Sequence, residues 1–123
     1  MASDFTTTSN LKHTYGQVSL EVAGARIATN RQFVGTLCGD HVKTAIGTML
    51  GTGTVIGAGA NLFGGEPVPK YVPPFAWGNA ANEHVDEAGF LKVAGRAMPR
   101  RGVELTPERR ASLSSMYVRL TTR

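Results

Sequence analysis

Asp40, His41 and Lys43 place a carboxylate, an imidazole and an ammonium within four consecutive residues. An imidazole near its ordinary pKa can take a proton at neutral pH, and a neighbouring carboxylate can orient the ring. The ammonium of Lys43 can hold a phosphate or a carboxylate beside it. The set therefore suits a general base next to an anion-binding group. The other reading is three polar residues on a solvated wall. His13 and His84 lie outside the pattern described next and read as surface residues. Zinc would need three converging histidines, and only His41 stands within that pattern.

A six-residue beat positions these groups. From Cys38 to Pro67 the chain reads CGDHVK, TAIGTM, LGTGTV, IGAGAN, LFGGEP. The first position holds Cys38, Thr44, Leu50, Ile56 and Leu62, and the second holds Gly39, Ala45, Gly51, Gly57 and Phe63. The fifth holds Val42, Thr48, Thr54 and Ala60. This is the repeat of a hexapeptide parallel β-helix. The first and fifth residues are predicted to face inward, and the second-position glycine to take the backbone round a corner. Cys38 is then a small inward-facing residue, while His41, at the fourth position, faces solvent.

Composition agrees with one small domain of mainly β structure. The 123 residues include 15 glycines, one cysteine and 7% aromatic residues, a low-bulk mixture suited to stacked turns. A single cysteine excludes an internal disulfide framework. The polar stretch Met1–Asn10 carries no secretory pattern, so a cytoplasmic protein is expected. Net charge is +4, with five Lys/Arg against four Asp/Glu over residues 1–80 and eight against five over 81–123. The arginines of the tail have only Phe90 and Tyr117 as neighbouring aromatics, which argues against a nucleic-acid face. They read as solvated helix surface, and would also suit an anionic cosubstrate such as coenzyme A.

Thr44 to Gly65 carries no charge, yet it does not read as a membrane span. Seven glycines and four threonines dilute its six strongly apolar residues. Glycine opposes a helix by about 1 kcal/mol per residue, and the apolar positions recur every six residues rather than on a helical stripe. The same phase explains why its glycines form no dinucleotide or phosphate loop.

Residues 1–10 read as an exposed lead-in, 11–78 as the β-helix with a proline/aromatic segment, and 79–123 as a helical tail. Val18, Leu20 and Val22 alternate like a strand, and a loop or insertion around Ala23 to Arg31 accounts for the slip in phase. Pro67, Pro69, Pro73 and Pro74 exclude a ladder strand, so Glu66–Gly78 is predicted to run extended and pack its aromatics over the stack. A helix is expected over 82–98, ended by Pro99. Thr106-Pro107-Glu108 starts a second helix, striped by Leu113, Met116, Tyr117 and Leu120. Such helices would cap the open ends of the stack. About three short coils enclose little interior, and each has three sides, so a homotrimer is expected.

Several stretches resemble a known family: Asn10-Leu11-Lys12 with Tyr15, Gly39-Asp40-His41-Val42-Lys43, Gly51-Thr52-Gly53-Thr54-Val55-Ile56-Gly57, Asn61-Leu62-Phe63-Gly64 and Pro69-Lys70-Tyr71-Val72-Pro73-Pro74-Phe75-Ala76-Trp77-Gly78. Together they resemble the C-terminal region of bacterial predicted sugar nucleotidyltransferases, relatives of the bifunctional UDP-N-acetylglucosamine pyrophosphorylase/glucosamine-1-phosphate acetyltransferase. The resemblance implies a left-handed β-helix, trimeric, handling acetyl-CoA and a sugar phosphate or nucleotide sugar between subunits. It also implies ligand contacts at Lys12 and Asn61. The family's nucleotidyltransferase half has no counterpart before Asn10, so synthesis of a sugar nucleotide by these residues alone is not expected. Where the bifunctional enzyme carries its catalytic histidine and a following tyrosine, this chain has Ile46 and Met49. His41 is then the remaining base for acetyl transfer. Two functions follow: an acyltransferase-like domain, or a catalytically silent β-helix that trimerises or regulates a nucleotidyltransferase domain.

Overall fold

The computed structural model describes residues 6–78 and 83–122. Two compact units divide between His84 and Val85. The boundary expected after Gly78 falls beside residues 79–82, which lie outside the described residues.

In the first unit, two-residue strands recur at the beat of the sequence: β4 Leu37–Cys38, β5 Lys43–Thr44, β6 Met49–Leu50, β7 Val55–Ile56 and β8 Asn61–Leu62. Each supplies the sixth residue of one hexad and the first of the next. Pairing is parallel, with Leu37 opposite Val55 and Lys43 opposite Asn61, an offset of 18 residues in both cases. First-position Leu50, Ile56 and Leu62 are buried, as are fifth-position Val42, Thr48, Thr54 and Ala60. Burying each larger apolar side chain contributes about 1.5–3 kcal/mol. The two threonines enter this interior because their hydroxyls are satisfied within their own hexads: Thr48 Oγ1 donates to the Ala45 carbonyl at 2.6 Å and Thr54 Oγ1 to that of Gly51 at 2.8 Å.

The corners turn elsewhere than expected. The left-handed backbone falls at the fourth position, at His41 (φ 61°), Gly47 (80°), Gly53 (67°), Gly59 (74°) and Gly65 (76°). The second-position glycines have another role. A Cβ on Gly39 would lie 2.7 Å from the amide nitrogen of Ala58 in the coil above, and one on Gly57 would collide with Pro74. Gly39 and Gly57 are small because a later stretch of the chain passes directly over them, whereas beside Gly51 there is room. Cys38 also departs from expectation: it is exposed, and Thr44 is only half-buried. Both stand in the first hexads, where less chain is stacked beside them.

Strand β9, Tyr71–Val72, pairs parallel with β7, so the proline/aromatic segment does enter the ladder. Prolines lack only the amide, and β9 contributes carbonyls: Val55 N–H donates to Lys70 O at 2.9 Å and Gly57 N–H to Val72 O at 2.8 Å. Val68 still keeps step, its amide bonding Met49 O at 3.1 Å. The turn from Val68 to Val72 is two residues short of a hexad. Val72-Pro73-Pro74-Phe75-Ala76-Trp77 is therefore a further hexad in a shifted phase. Its first and fifth residues are buried, and its fourth, Phe75, has φ 61°.

Two more pieces complete this unit. Within the stretch expected to be a free lead-in, β1 Thr7–Thr8 pairs parallel with β6. The slip in phase before β4 is a β-hairpin of β2 Ser19–Val22 and β3 Ala25–Ala28. Its two-residue turn, Ala23-Gly24, has φ of 49° and 84°, which suits the right-handed strand twist.

The second unit holds two α-helices. Helix α1, Glu87–Ala97, starts later than expected and is capped by Asp86, whose side chain accepts from Gly89 N at 2.7 Å. Pro99 does not end the turn abruptly but enters a 3-10 turn at Met98–Arg101, closed by Gly102 at φ 70°. Helix α2, Pro107–Thr121, begins as the sequence predicts, with Thr106 as N-cap. Phe90 stacks on Tyr117 with ring centroids 6.5 Å apart, and the Tyr117 hydroxyl donates to Val85 O at 2.7 Å. Leu113, Met116, Tyr117 and Leu120 are half-buried. The described residues thus combine short strands with two α-helices, as the sequence predicts at that level.

Candidate functional site

The corner between β4 and β5 carries Asp40, His41 and Val42. Its backbone is tied to the coil above by Gly39 N to Ile56 O at 2.9 Å, Gly59 N to Asp40 O at 2.8 Å and Lys43 N to Ala60 O at 3.0 Å. His41 is thereby held in the left-handed region, where an L-residue costs about 1–2 kcal/mol and His is among the residues that tolerate it best. It is a non-glycine residue at a fourth position that Gly47, Gly53, Gly59 and Gly65 fill in the other hexads, with Phe75 at the corresponding place in the shifted hexad.

The imidazole is half-buried. Burial pushes its pKa below the ordinary value, the Lys43 ammonium adds to that, and Asp40 opposes both. The ring is neutral at pH 7, the state a general base requires. Burial lowers the Lys43 pKa as well. Lys43 Nζ donates to His41 O at 3.4 Å, leaving two of its three N–H groups to face a ligand.

Lys43 stands opposite Asn61 in the ladder, and Asn61 bridges to Trp77. The sixth positions of three coils thus form one column: Lys43, Asn61, Trp77. The Asn61 amide is oriented by Nδ2 donating to Gly59 O at 3.2 Å. Trp77 is 45% exposed and meets Phe63 edge-to-face with centroids 5.1 Å apart. Neither aromatic stands out as a site residue in the sequence. Phasing Val72–Trp77 as a hexad would have placed Trp77 above Asn61.

Lys12 does not join this group. The Thr52 hydroxyl donates to Leu11 O at 2.6 Å, which pins its turn to the corner between β6 and β7, and Lys12 Nζ donates to Gln17 O at 3.1 Å. Ile46 is 78% exposed at the corner between β5 and β6, and Met49 follows on β6. His13 is exposed, and His84 pairs with Ala76 in an antiparallel bridge.

The arrangement puts an ammonium and a carboxamide in register on paired strands, with the imidazole two residues away at the corner and an aromatic pair beside the carboxamide. That can deprotonate and orient an anionic, hydroxyl- or amine-bearing molecule. The chain matches no protein-family model and no curated protein. Among the described residues no helix is long and apolar enough to cross a membrane. No group of three His, Cys, Asp or Glu that could hold a metal ion comes together among them either.

Proposed function

We propose that the first unit is a short left-handed parallel β-helix of the hexapeptide-repeat class, acting as an acyltransferase-like domain on a sugar phosphate. The observation that carries this reading is a half-buried His41, its pKa pushed down by burial, at a backbone-fixed corner two residues from Lys43, which itself stands across the ladder from Asn61. The six-residue strand spacing and the 18-residue parallel offset support the β-helix, since three hexads then make one coil.

In this reading His41 takes the proton from the acceptor's amine or hydroxyl, and Asp40 opposes the loss of basicity that burial and Lys43 impose. Lys43 binds the acceptor phosphate, and the Asn61 side chain fixes its orientation. Acetyl-CoA, as cosubstrate, would supply the acetyl group: its C–S bond would break as the new C–N or C–O bond forms, and the leaving thiolate would take the proton held by His41; the N–H groups of Lys43 suit an anionic ligand of this kind. A homotrimer belongs to the same proposal, because exposed Ile46, Met49 and Phe63 would be covered by copies of the chain. So do a nucleotide sugar as the wider substrate class, a nucleotidyltransferase domain as partner, and a cytoplasmic location.

A second reading has an observation of its own. Ile46 and Met49 occupy the places where the resembling acetyltransferase has a histidine and a tyrosine, and neither can move a proton. That favours a silent trimerising or regulatory β-helix. Calorimetric titration with acetyl-CoA separates the two. Under the enzymatic reading, heat is released at submillimolar ligand and is lost in Lys43→Ala, and acetyl transfer to glucosamine 1-phosphate stops in His41→Gly. No heat at millimolar acetyl-CoA leaves the scaffold reading.

A further inference from the structure

A recess lies away from His41, where the β2–β3 hairpin meets the turn before β9. Its volume is about 370 Å3, and Ser19, Leu20, Glu21, Gly24, Arg26 and Lys70 line it. That is within the usual range for small-molecule sites, about 300–1,000 Å3. We propose that this cleft binds the phosphomonoester of a polyhydroxy compound, a sugar phosphate in class. The phosphate would lie between Arg26 and Lys70, and the hydroxyls would face Glu21 and Ser19.

The hairpin is built to hold these groups still. Val18, at its root, is 1% exposed, and its amide donates to Arg31 O at 2.7 Å. Val18 O accepts from both the Thr29 amide at 3.1 Å and the Thr29 hydroxyl at 2.5 Å. Val18 and Leu20 pack on the corner at Gly53, where a Cβ would lie 2.6 Å from Val18 Cγ1 and 3.5 Å from Leu20 Cδ2. With Leu20 turned to that corner, the alternation of a strand puts Ser19 and Glu21 together on its other face. Arg26 stands opposite Glu21 in the antiparallel register, and Lys70 comes from the shortened turn whose carbonyl receives Val55 N.

Directly opposed charges in a sheet ordinarily pair. Among the described residues, however, the side chains of Glu21, Arg26 and Lys70 make no hydrogen bond or ion pair. Two cations and one carboxylate leave the recess with an unneutralised positive charge. A guanidinium offers a planar fork to phosphate oxygens and a lysine a mobile point charge. The carboxylate and the serine hydroxyl are acceptors for sugar hydroxyls, which phosphate alone lacks. This site is independent of the acyltransferase reading, since it shares no residue with the His41 corner.

Glucose 1-phosphate is the probe, titrated calorimetrically into the full chain at low ionic strength, with glucose and inorganic phosphate in parallel. Glucose 1-phosphate should bind, inorganic phosphate more weakly, and glucose without detectable heat. Arg26→Gln and Lys70→Gln should each weaken binding about tenfold, while Lys92→Gln, on helix α1 of the second unit, leaves it unchanged. The amide of Gly24 should shift in a heteronuclear spectrum on titration, which reads the site without any substitution. Three results would overturn the proposal: no binding at millimolar glucose 1-phosphate, equal affinity for inorganic phosphate, or wild-type affinity in both charge variants with Gly24 unmoved.

Discussion

At His41 two requirements meet on one residue. The corner wants a glycine, because φ is 61°; the chemistry wants an imidazole. Replacing His41 by Gly should therefore keep the fold and raise stability by up to about 1 kcal/mol, since left-handed strain is relieved while some unfolded-chain entropy is gained. Replacing it by Val should destabilise by at least about 1–2 kcal/mol, because a β-branched side chain tolerates this region worst. Thermal melts of the three proteins check the order Gly, His, Val. The imidazole also sets a pH dependence. Its folded pKa lies below the ordinary value of 6.5, so at lower pH the unfolded chain binds the proton more readily. Stability from this group is complete above about pH 6.5 and is lost as pH falls through the folded pKa. The melting temperature should drop between pH 7 and pH 5, and His41→Gly should remove that part of the drop.

Among the elements, the second position of the hexad is not one environment. Above Gly57 runs the Pro74 backbone, with no room for a methyl group; beside Gly51 a Cβ would meet only Thr54 Oγ1 at 3.6 Å. Gly57→Ala should thus cost about 2 kcal/mol or more through overpacking. Gly51→Ala, with no positive φ to strain it, should be neutral or stabilising by up to about 1 kcal/mol. Denaturant melts of the pair test whether coils stack as described, and equal losses would contradict it. The same positions explain what the sequence discloses. The beat is legible from Cys38 to Leu62 because inward residues repeat in kind. Which glycine turns the corner is not, since hexads such as LGTGTV and IGAGAN carry one at both the second and the fourth position. Strand β9 is hidden because two residues are missing from the turn before it, and prolines normally signal the absence of a ladder. His41 and Lys43 are legible as neighbours in the chain, whereas Asn61 opposite Lys43 follows only from the strand register. The Lys12 turn is not, because only the Thr52–Leu11 bond shows which corner holds it.

For the molecule as a whole, the balance of buried and exposed side chains bears on self-association. The core of the first unit is Val42, Leu50, Ile56, Ala60, Leu62, Val72 and Ala76, with two alanines among seven residues. Meanwhile Leu37, Ile46, Met49, Phe63 and Trp77 are exposed on the strands and corners around it. A stack this narrow gains more by covering such side chains with copies of itself than by enlarging its interior. Ile46 is the sharpest case, at 78% exposure on a corner residue with no role in the core. Under the trimer proposal, light scattering should give three times the 13.1 kDa of one chain. Ile46→Glu should shift that mass toward a single chain, because a buried carboxylate with no partner is costly at an interface. The same substitution on a free surface changes stability by no more than about 0.5 kcal/mol. A mass of one chain for the unsubstituted protein, or a trimer indifferent to Ile46→Glu, would remove Ile46 from any contact between copies and leave its exposure unexplained.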